Sequence, residues 1–594
     1  MTKACILIAA LVCAAPALCR AQPFYFGNDL SYANQMEDCG AVFKENGAPK
    51  DVYRIFADHG TNLVRLRLWV DPSWQNALAQ PPGVRAQYSD FADVKEAIGR
   101  AKAAGMQVLL DFHYSDFWAD PGRQVVPARW AGVAHDTEAL ADSVYRYTRR
   151  VLGDLDAEGL MPEVVQVGNE TNAGMLLYTG MDARYNPTGL VSWDWGRQAV
   201  LFNAAIRAVR EAGAAASIDP RIAVHFADPS RVKGLVRLLM NAGATDFDLI
   251  GFSYYYAWHE RSIAYLGAAI RDLKASFPGY DVMVLETGYL WTTQNVDGLG
   301  NIITTPDPAY LPVIPEKQLE YMVDYTREVM RSGGAGVVFW EPAWVSTPCR
   351  TPWGQGSSHD HVAFFEPGTY DFMGNGGGRW TEPRFYEDPH ARKVTFRVDM
   401  SGHDVSGGVY VTGSFTGDDW QILPMADEGN DIYSYFTYLP AGATGAYHFL
   451  NAADEGARET VPAACAAWEG TDRAYAVAEE DAVFAYRWGS CRAIGGSTPV
   501  EQGALPPSRF MLHPGYPNPF NPSTTLTYEL PRPAHVRLTV HDALGRELAA
   551  LVDARVGAGR HEARFDAARL PSGVYLARIE AGVFTSTTKL ILLR

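Results

Sequence analysis

Past its first twenty-one residues, the 594-residue chain has no apolar run long enough to cross a membrane. It lacks an excess of Lys and Arg: the formal net charge is −17, so neither nucleic acid nor an anionic membrane surface is a partner that its charge invites. No Gly-rich phosphate loop follows the first strand candidate, which argues against an open dinucleotide-binding sheet. Cysteine is scarce, seven in all, and its spacing matches no zinc pattern. Helical and solenoid repeats are absent.

The first residues are a different matter. Lys3 followed by "ACILIAALVCAAPAL" reads as a signal peptide over 1–21, with cleavage after Ala21. A membrane anchor is the alternative, but the stretch is short for a span. A lipid anchor at Cys19 fits the preceding residues poorly. The mature chain keeps Cys39, Cys349, Cys465 and Cys491, an even number in an exported protein. Its length implies three or four domains.

Aromatic residues are plentiful, with 15 Trp and 30 Tyr. Core filling accounts for many of them, but sugar-binding clefts also use flat aromatic faces. From 23 to about 388, short apolar runs alternate with amphipathic stretches such as 90–104, 137–153 and 196–213. That alternation predicts parallel strands with crossover helices. Eight strand candidates occur, at 24–29, 62–69, 107–114, 164–170, 222–227, 249–255, 282–287 and 336–341. The expected fold class is therefore α/β: a (β/α)8 TIM barrel over 22–388. The pattern then changes to short alternating strands. A β-sandwich is expected over 389–492, a linker over 493–509 and a small terminal β-sandwich over 510–594, both sandwiches of immunoglobulin-like type.

Polar residues gather at the carboxyl ends of the barrel strands, where such barrels build sites. Asn28 and Asp29 end the first, Arg67 the second, Asp111 and His113 the third. Asn169 and Glu170 end the fourth, and His225, Tyr254, Glu286 and Trp340 follow on the fifth to eighth. Two carboxyls facing one bond are what glycoside hydrolysis needs. In retaining enzymes they stand about 5–5.5 Å apart. Glu170 is the candidate acid/base and Glu286 the candidate nucleophile. Arg67 is expected to hold Glu286 ionised, Tyr254 to donate to it, Asn169 to bind the sugar 2-hydroxyl and Trp340 to floor the cleaved subsite. A lone strand-end glutamate is more often a salt-bridge partner; the paired placement favours catalysis.

The barrel resembles glycoside hydrolase family 53, the endo-β-1,4-galactanases. The resemblance rests on "GNDLSYANQMEDCG" (27–40), "NLVRLRLWVDP" (62–72), "LLDFHYSDFWADPGRQ" (109–124), "VVQVGNETNAGML" (164–176), "DLIGFSYYYAWH" (248–259), "VLETGYLW" (284–291) and "GVVFWEPAW" (336–344). It implies an endo-acting, retaining enzyme that cleaves β-1,4-galactosidic bonds in galactan, with no cofactor for the chemistry. It also implies substrate contacts from Asn169, His113, Asp116, Trp118 and Trp340. The alternatives are a mannanase or glucanase of the same clan, or a sugar-binding protein without activity. Two departures stand out: "GND" where "GAD" or "GVD" is expected, and "HDH" (359–361) where an aromatic and an amide are expected, in a loop read as shaping a distal subsite. Some members hold a structural calcium after the seventh strand, and Asn295, Asp297 and Asn301 offer oxygen ligands here. An ordinary solvated loop is the other reading.

The module at 393–490 resembles starch-binding-like sandwiches. Trp420 and Trp468 could bind sugar, or the module is a spacer. The segment 510–594 resembles a type IX secretion sorting domain, through "YPNPFNPST", "HDALGRELAAL", "LPSGVYLARI" and the final "TKLILLR". That implies the type IX machinery as a partner and a secreted or cell-surface location. The disulfides expected are Cys39–Cys349, stapling the first and last barrel loops, and Cys465–Cys491 in the middle sandwich, with four free thiols as the alternative.

Overall fold

The computed structural model describes residues 24–179, 193–417, 419–466, 471–495, 510–530, 534–557, 559–582 and 584–593. The expected leader, Trp468 and residues 496–509 of the expected linker lie outside the described residues. Among the described residues no helix is long and apolar enough to cross a membrane.

Eight parallel strands close into a barrel: β1 (Tyr25–Asp29), β2 (Leu63–Leu68), β3 (Gln107–Phe112), β4 (Val164–Val167), β5 (Arg221–Ala227), β6 (Leu249–Ser253), β7 (Asp281–Thr287) and β8 (Gly336–Phe339). The ring follows chain order, and β1 closes it by pairing with β2 on one side and β8 on the other. Helices such as Phe91–Ala103, Thr137–Asp156 and Trp195–Gly213 pack outside. Each begins at an aspartate, Asp90, Asp136 or Asp194, whose side chain accepts a first-turn N–H. Along Thr137–Asp156 the buried residues Leu140, Val144, Tyr147, Val151 and Leu155 recur at helical spacing and form the inward stripe.

Inside the barrel the strand period of two sorts residues by depth. Tyr25, Leu63, Leu109, Val164, Ala223, Leu249, Met283, Leu285 and Val338 form an apolar plug. Two residues further along their strands, Arg65, Asp111, Gln166 and His225 form a buried polar layer above it. Between β6 and β7 the register slips: Phe252 lies opposite Val284, but Ser253 lies opposite Glu286. This bulge sets two residues against one. Leu285 fills the plug, where a Cβ on Gly251 would come within 2.1 Å of it, and Glu286 is freed to turn toward the mouth.

Two all-β units follow the barrel. The first pairs two four-stranded sheets around Val394, Phe396, Val411, Tyr447, Phe449 and Phe484; the second pairs a three- and a four-stranded sheet around Leu526, Val536, Leu538, Phe565 and Ile579. The first unit joins the barrel through the helix Pro315–Arg331. There Lys317 pairs with Glu320 (2.8 Å) and Glu428 (2.9 Å), and Lys393 pairs with Glu320 and with Asp324 (2.6 Å). Arg327 lies 3.9 Å over the Tyr438 ring, and Phe385 stacks on Phe436. Cys39 is bonded to Cys349 and Cys465 to Cys491, with Cα separations of 5.6 and 5.5 Å.

Candidate active site

An open cleft of about 680 Å³ sits over the carboxyl ends of the strands. Asn169, Glu170, Ser253, Tyr255 and Glu286 line its deep end. Trp118, Trp340, Trp344 and Trp353 form one aromatic group along it, with Trp118 edge-to-face with Trp340 at 5.9 Å and tilted against Trp353 at 6.0 Å. Trp258 lies 4.3 Å from Tyr255 and is about half exposed at 53%. Flat apolar faces beside a pair of carboxyls suit a sugar polymer.

Glu286 is held by a cation and a hydroxyl. Arg65 stands 2.9 Å from Oε1, and Tyr255 donates its O–H to Oε2 at 3.2 Å. Arg65 is fully buried and is the hub of the floor. It also donates to Asp29 (2.8 Å), Asp111 (2.7 Å), the Asn169 amide oxygen (2.8 Å) and the Gln166 amide oxygen (3.1 Å). One guanidinium thus faces three carboxylates. Burial raises Glu286 to about 7, against the pull of Arg65.

Glu170 has a different setting. It follows β4 in a left-handed conformation, φ 46°, a strained state for a residue with a Cβ. The turn is pinned to β5: Thr171 donates its N–H and hydroxyl to the His225 carbonyl, both at 2.9 Å, and the Asn172 amide pairs with both backbone groups of Ala227. The Glu170 carboxyl meets the Ser253 hydroxyl, with Arg65 acting on it only through space. Burial first and the negative charge of Glu286 second push it well above the usual carboxylate range. Of the two acids, Glu286 has the cation in contact and ionises first; Glu170 keeps its proton.

The expected site residues separate into three groups. Glu170, Glu286, Asn169, Trp118 and Trp340 line the cleft. His113 and His225 lie beneath it: His113 pairs with Asp111 at 3.0 Å, and His225 sits 2.7 Å from the Asn169 amide oxygen. Asp116 braces its own loop by accepting the Ala128 N–H at 2.8 Å. Arg67 and Tyr254 do not take the roles expected of them. Arg67 pairs with Glu341 at 2.9 Å and lies 4.0 Å over Trp118, one layer too high for Glu286. The partner of Glu286 is Arg65. Tyr254 turns its hydroxyl to the Arg261 carbonyl; the strand ends at Ser253, and it is Tyr255, two residues on, that turns inward to Glu286.

Glu341 was not anticipated. It is fully buried behind Trp340, accepts the Tyr32 N–H at 3.1 Å and adopts φ 52°. Its position directly after the strand-end Trp340 was the available signal. His359 of the "HDH" segment packs edge-on to Trp340 at 4.8 Å, so this departure supports the aromatic wall from behind. Asn28, the other departure, points away and donates to Thr61.

The 292–301 loop is tied by its own hydrogen bonds. Asn295 Oδ1 accepts from Gly298 N, and Asp297 accepts from Leu299 N, Ser346 Oγ and Ser357 N. Asn295 Oδ1 and Asp297 thus turn lone pairs to protein donors, while the buried Asn301 Oδ1 meets none. Among the described residues, no group of three His, Cys, Asp or Glu is arranged to hold a metal.

Comparison with known proteins places this geometry. The model of glycosyl hydrolase family 53 matches residues 25–372, more than half of the chain. The chain belongs to glycosyl hydrolase family 53. An arabinogalactan endo-beta-1,4-galactanase of Cellvibrio japonicus is 41% identical over 346 residues, spanning 58% of this chain and 87% of that protein. An endo-beta-1,4-galactanase of Bacillus subtilis is 32% identical over 362 residues, spanning 58% of this chain and 78% of the relative. Among solved structures, the family 53 catalytic domain of Ignisphaera aggregans superposes with a TM-score of 0.52 at 27% identity, over 62% of this chain and 99% of that one. The secretion system C-terminal sorting domain model matches residues 515–593. This family 53 chain is therefore a glycoside hydrolase carrying a sorting domain, and it is secreted or held at the cell surface.

Proposed function

We propose that the chain is an endo-β-1,4-galactanase that cleaves galactan and type I arabinogalactan by double displacement, with Glu286 as nucleophile and Glu170 as acid/base. The observation that carries the reading is the asymmetry of the two glutamates. The acid with Arg65 in contact is suited to attack the anomeric carbon as an anion. The acid beside Ser253 is suited to protonate the departing glycosidic oxygen. Once the glycosyl–enzyme forms, Glu170 is ionised and draws a proton from water as that water displaces Glu286. Asn169, fixed by Arg65, is placed for the sugar 2-hydroxyl; Trp118 and Trp340 are placed to stack on rings. No cofactor enters the chemistry. Export through a type IX system accounts for the terminal domain.

The test is turnover of purified protein on linear β-1,4-galactan, galactomannan and carboxymethylcellulose, with products sized and the first-formed anomer read by proton NMR. Galactan cleavage to β-anomer oligomers is expected. Turnover confined to mannan or glucan, or an initial α product, would overturn the assignment.

A further inference from the structure

Behind the aromatic wall of the cleft, a second arginine is enclosed by rings. Arg67 is buried on β2, and its guanidinium carbon lies 4.0 Å from the Trp118 ring centre, 4.8 Å from Trp69 and 5.0 Å from Tyr32. Among the described residues its side chain donates to Glu341 at 2.9 Å and to Ser89 at 3.2 Å, while its Nε meets no acceptor. The guanidinium is thus placed by the ring faces around it and by Glu341 at its edge. Glu341 divides its two oxygens: Oε1 accepts from Arg67, and Oε2 accepts the Tyr32 N–H. Tyr32 stacks on Trp344 at 4.2 Å, and Trp340 is the chain neighbour of Glu341. One ion pair therefore reaches Trp118, Trp340 and Trp344 at once. It joins segments that follow four strands: Tyr32 after β1, Trp69 after β2, Trp118 after β3 and Glu341 after β8. A buried pair adds little stability that apolar residues of the same volume would not supply. What it adds here is direction, since each contact fixes where a ring stands.

We propose that Arg67 and Glu341 are positioning residues for substrate binding: together they hold Trp118 at the angle at which its cleft face receives a sugar ring. The inference rests on this cleft being the galactan site proposed above. Trp118 lines the cleft, whereas Arg67 is only 1% exposed behind it and acts on the substrate through the ring alone. Trp118 stands between Trp340 and Trp353, so a ring free to tilt would interrupt the aromatic track at its middle. The acid pair is held separately: the cation in contact with Glu286 is Arg65, not Arg67. Loss of the Arg67–Glu341 pair should therefore weaken the binding of long substrates more than it slows bond cleavage. A short aryl galactoside, seated on Trp340, should feel it least.

The experiment is a double-mutant cycle on the full chain, with kcat and KM measured on linear galactan and on an aryl galactoside. Its members are Arg67→Met, Trp118→Ala and the two together, with Glu341→Gln as a milder probe of the same pair. Arg67→Met is expected to raise KM for galactan by roughly 10-fold, the size of a desolvated cation–ring contact, with kcat within about threefold of wild type. KM for the aryl galactoside should change far less. In Glu341→Gln a single amide oxygen faces two donors, Arg67 and the Tyr32 N–H, so galactan KM should rise in the same direction. Because Arg67 acts through Trp118, its substitution should add less than about twofold once the ring is gone. Additive KM effects in the pair overturn the proposal. So does an unchanged galactan KM in Trp118→Ala, or a loss in Arg67→Met confined to kcat and melting temperature. If Arg67→Met fails to fold, Glu341→Gln with Trp118→Ala closes the same cycle. A wild type that cleaves no galactan overturns the functional reading and this proposal with it; galactan cleavage with an additive cycle overturns this proposal alone.

Discussion

The mouth of the barrel and its joint with the first sandwich are built from the same materials and behave in opposite ways. Both bury several charged side chains. At the joint, Lys317 and Lys393 sit among Glu320, Asp324 and Glu428, with Arg397 also paired to Glu428. Cations and anions are matched, and the pairing pulls Glu320 and Glu428 below the usual carboxylate range despite their burial. At the mouth, Arg65 and Arg67 are set among Asp29, Asp111, Glu170, Glu286 and Glu341. Anions outnumber cations; burial first, and neighbouring anions after it, push Glu170, Glu286 and Glu341 upward, while Arg65 and His113 hold Asp111 below the usual carboxylate range despite its burial. Compensated buried charge holds the carboxylates of the joint in their ionised form. Uncompensated buried charge leaves acids poised to exchange protons, which is what a hydrolase requires.

The sharpest break in the comparison removes an acid from the mouth. Glu286→Ala should lower galactan turnover by about 10⁴-fold or more, since the covalent route disappears. Glu170→Ala should lose comparable activity on galactan but keep far more on aryl galactosides whose leaving group needs no proton. Equal losses on both substrates would contradict the assignment. In the wild type, kcat/KM should be bell-shaped, because Glu286 must be ionised and Glu170 protonated. The acidic limb belongs to Glu286 and the alkaline limb to Glu170; a profile flat across both would contradict the pair.

At the joint the effect should fall on stability. Lys393→Met leaves Glu320 and Asp324 without their shared cation. It should cost about 3–5 kcal/mol, the usual penalty for removing one partner of a buried pair. Denaturant unfolding at neutral pH reads this, while turnover at 25 °C should remain near wild type. Glu320 and Glu428 have lowered pKa values when folded, so their contribution is complete above the ordinary glutamate pKa and is lost as pH falls through the lowered values. The wild-type joint should therefore weaken in acid, and the gap between wild type and Lys393→Met should narrow there. A variant that loses activity without losing stability would place the function of this network elsewhere.

The barrel was legible in the sequence because apolar runs at strand length and amphipathic runs at helix length are local signals. All eight strands fall within the expected stretches to within a residue or two at most ends. Glu170, Glu286, Asn169 and Trp340 were legible because each sits where a strand ends; Trp118, in the loop after β3, came only from the family resemblance. What the sequence could not separate was depth. Leu63, Arg65 and Arg67 share one face of β2, and only the stagger of the strands decides that the lower arginine meets Glu286 and the upper one Glu341. The choice of Tyr254 over Tyr255 failed for a related reason: the period of two stops at Ser253, so the alternation no longer says which ring points inward. The bulge that turns Glu286 toward the cleft depends on the pairing of β6 with β7, a contact between strands rather than a property of either one.

The smallest expected effect separates mouth from joint by sign. A carboxyl whose folded pKa is raised opposes folding once the pH passes its unfolded value of about 4.3, because the native state must keep a proton that the unfolded chain releases. Glu170 is such a group. Glu170→Gln keeps the shape of the side chain and its contact with Ser253 but has no proton to lose. At pH 4 the variant and the wild type should melt together. As pH rises toward 8, the wild type should fall behind, with the variant gaining on the order of 2–4 °C in Tm. The gain should grow with pH, whereas the Lys393→Met deficit should shrink as pH falls. A Glu170→Gln variant that melts lower than wild type at pH 8, or by the same margin at every pH, would mean that Glu170 is as well compensated as the carboxylates of the joint. The contrast between the two regions would then be lost.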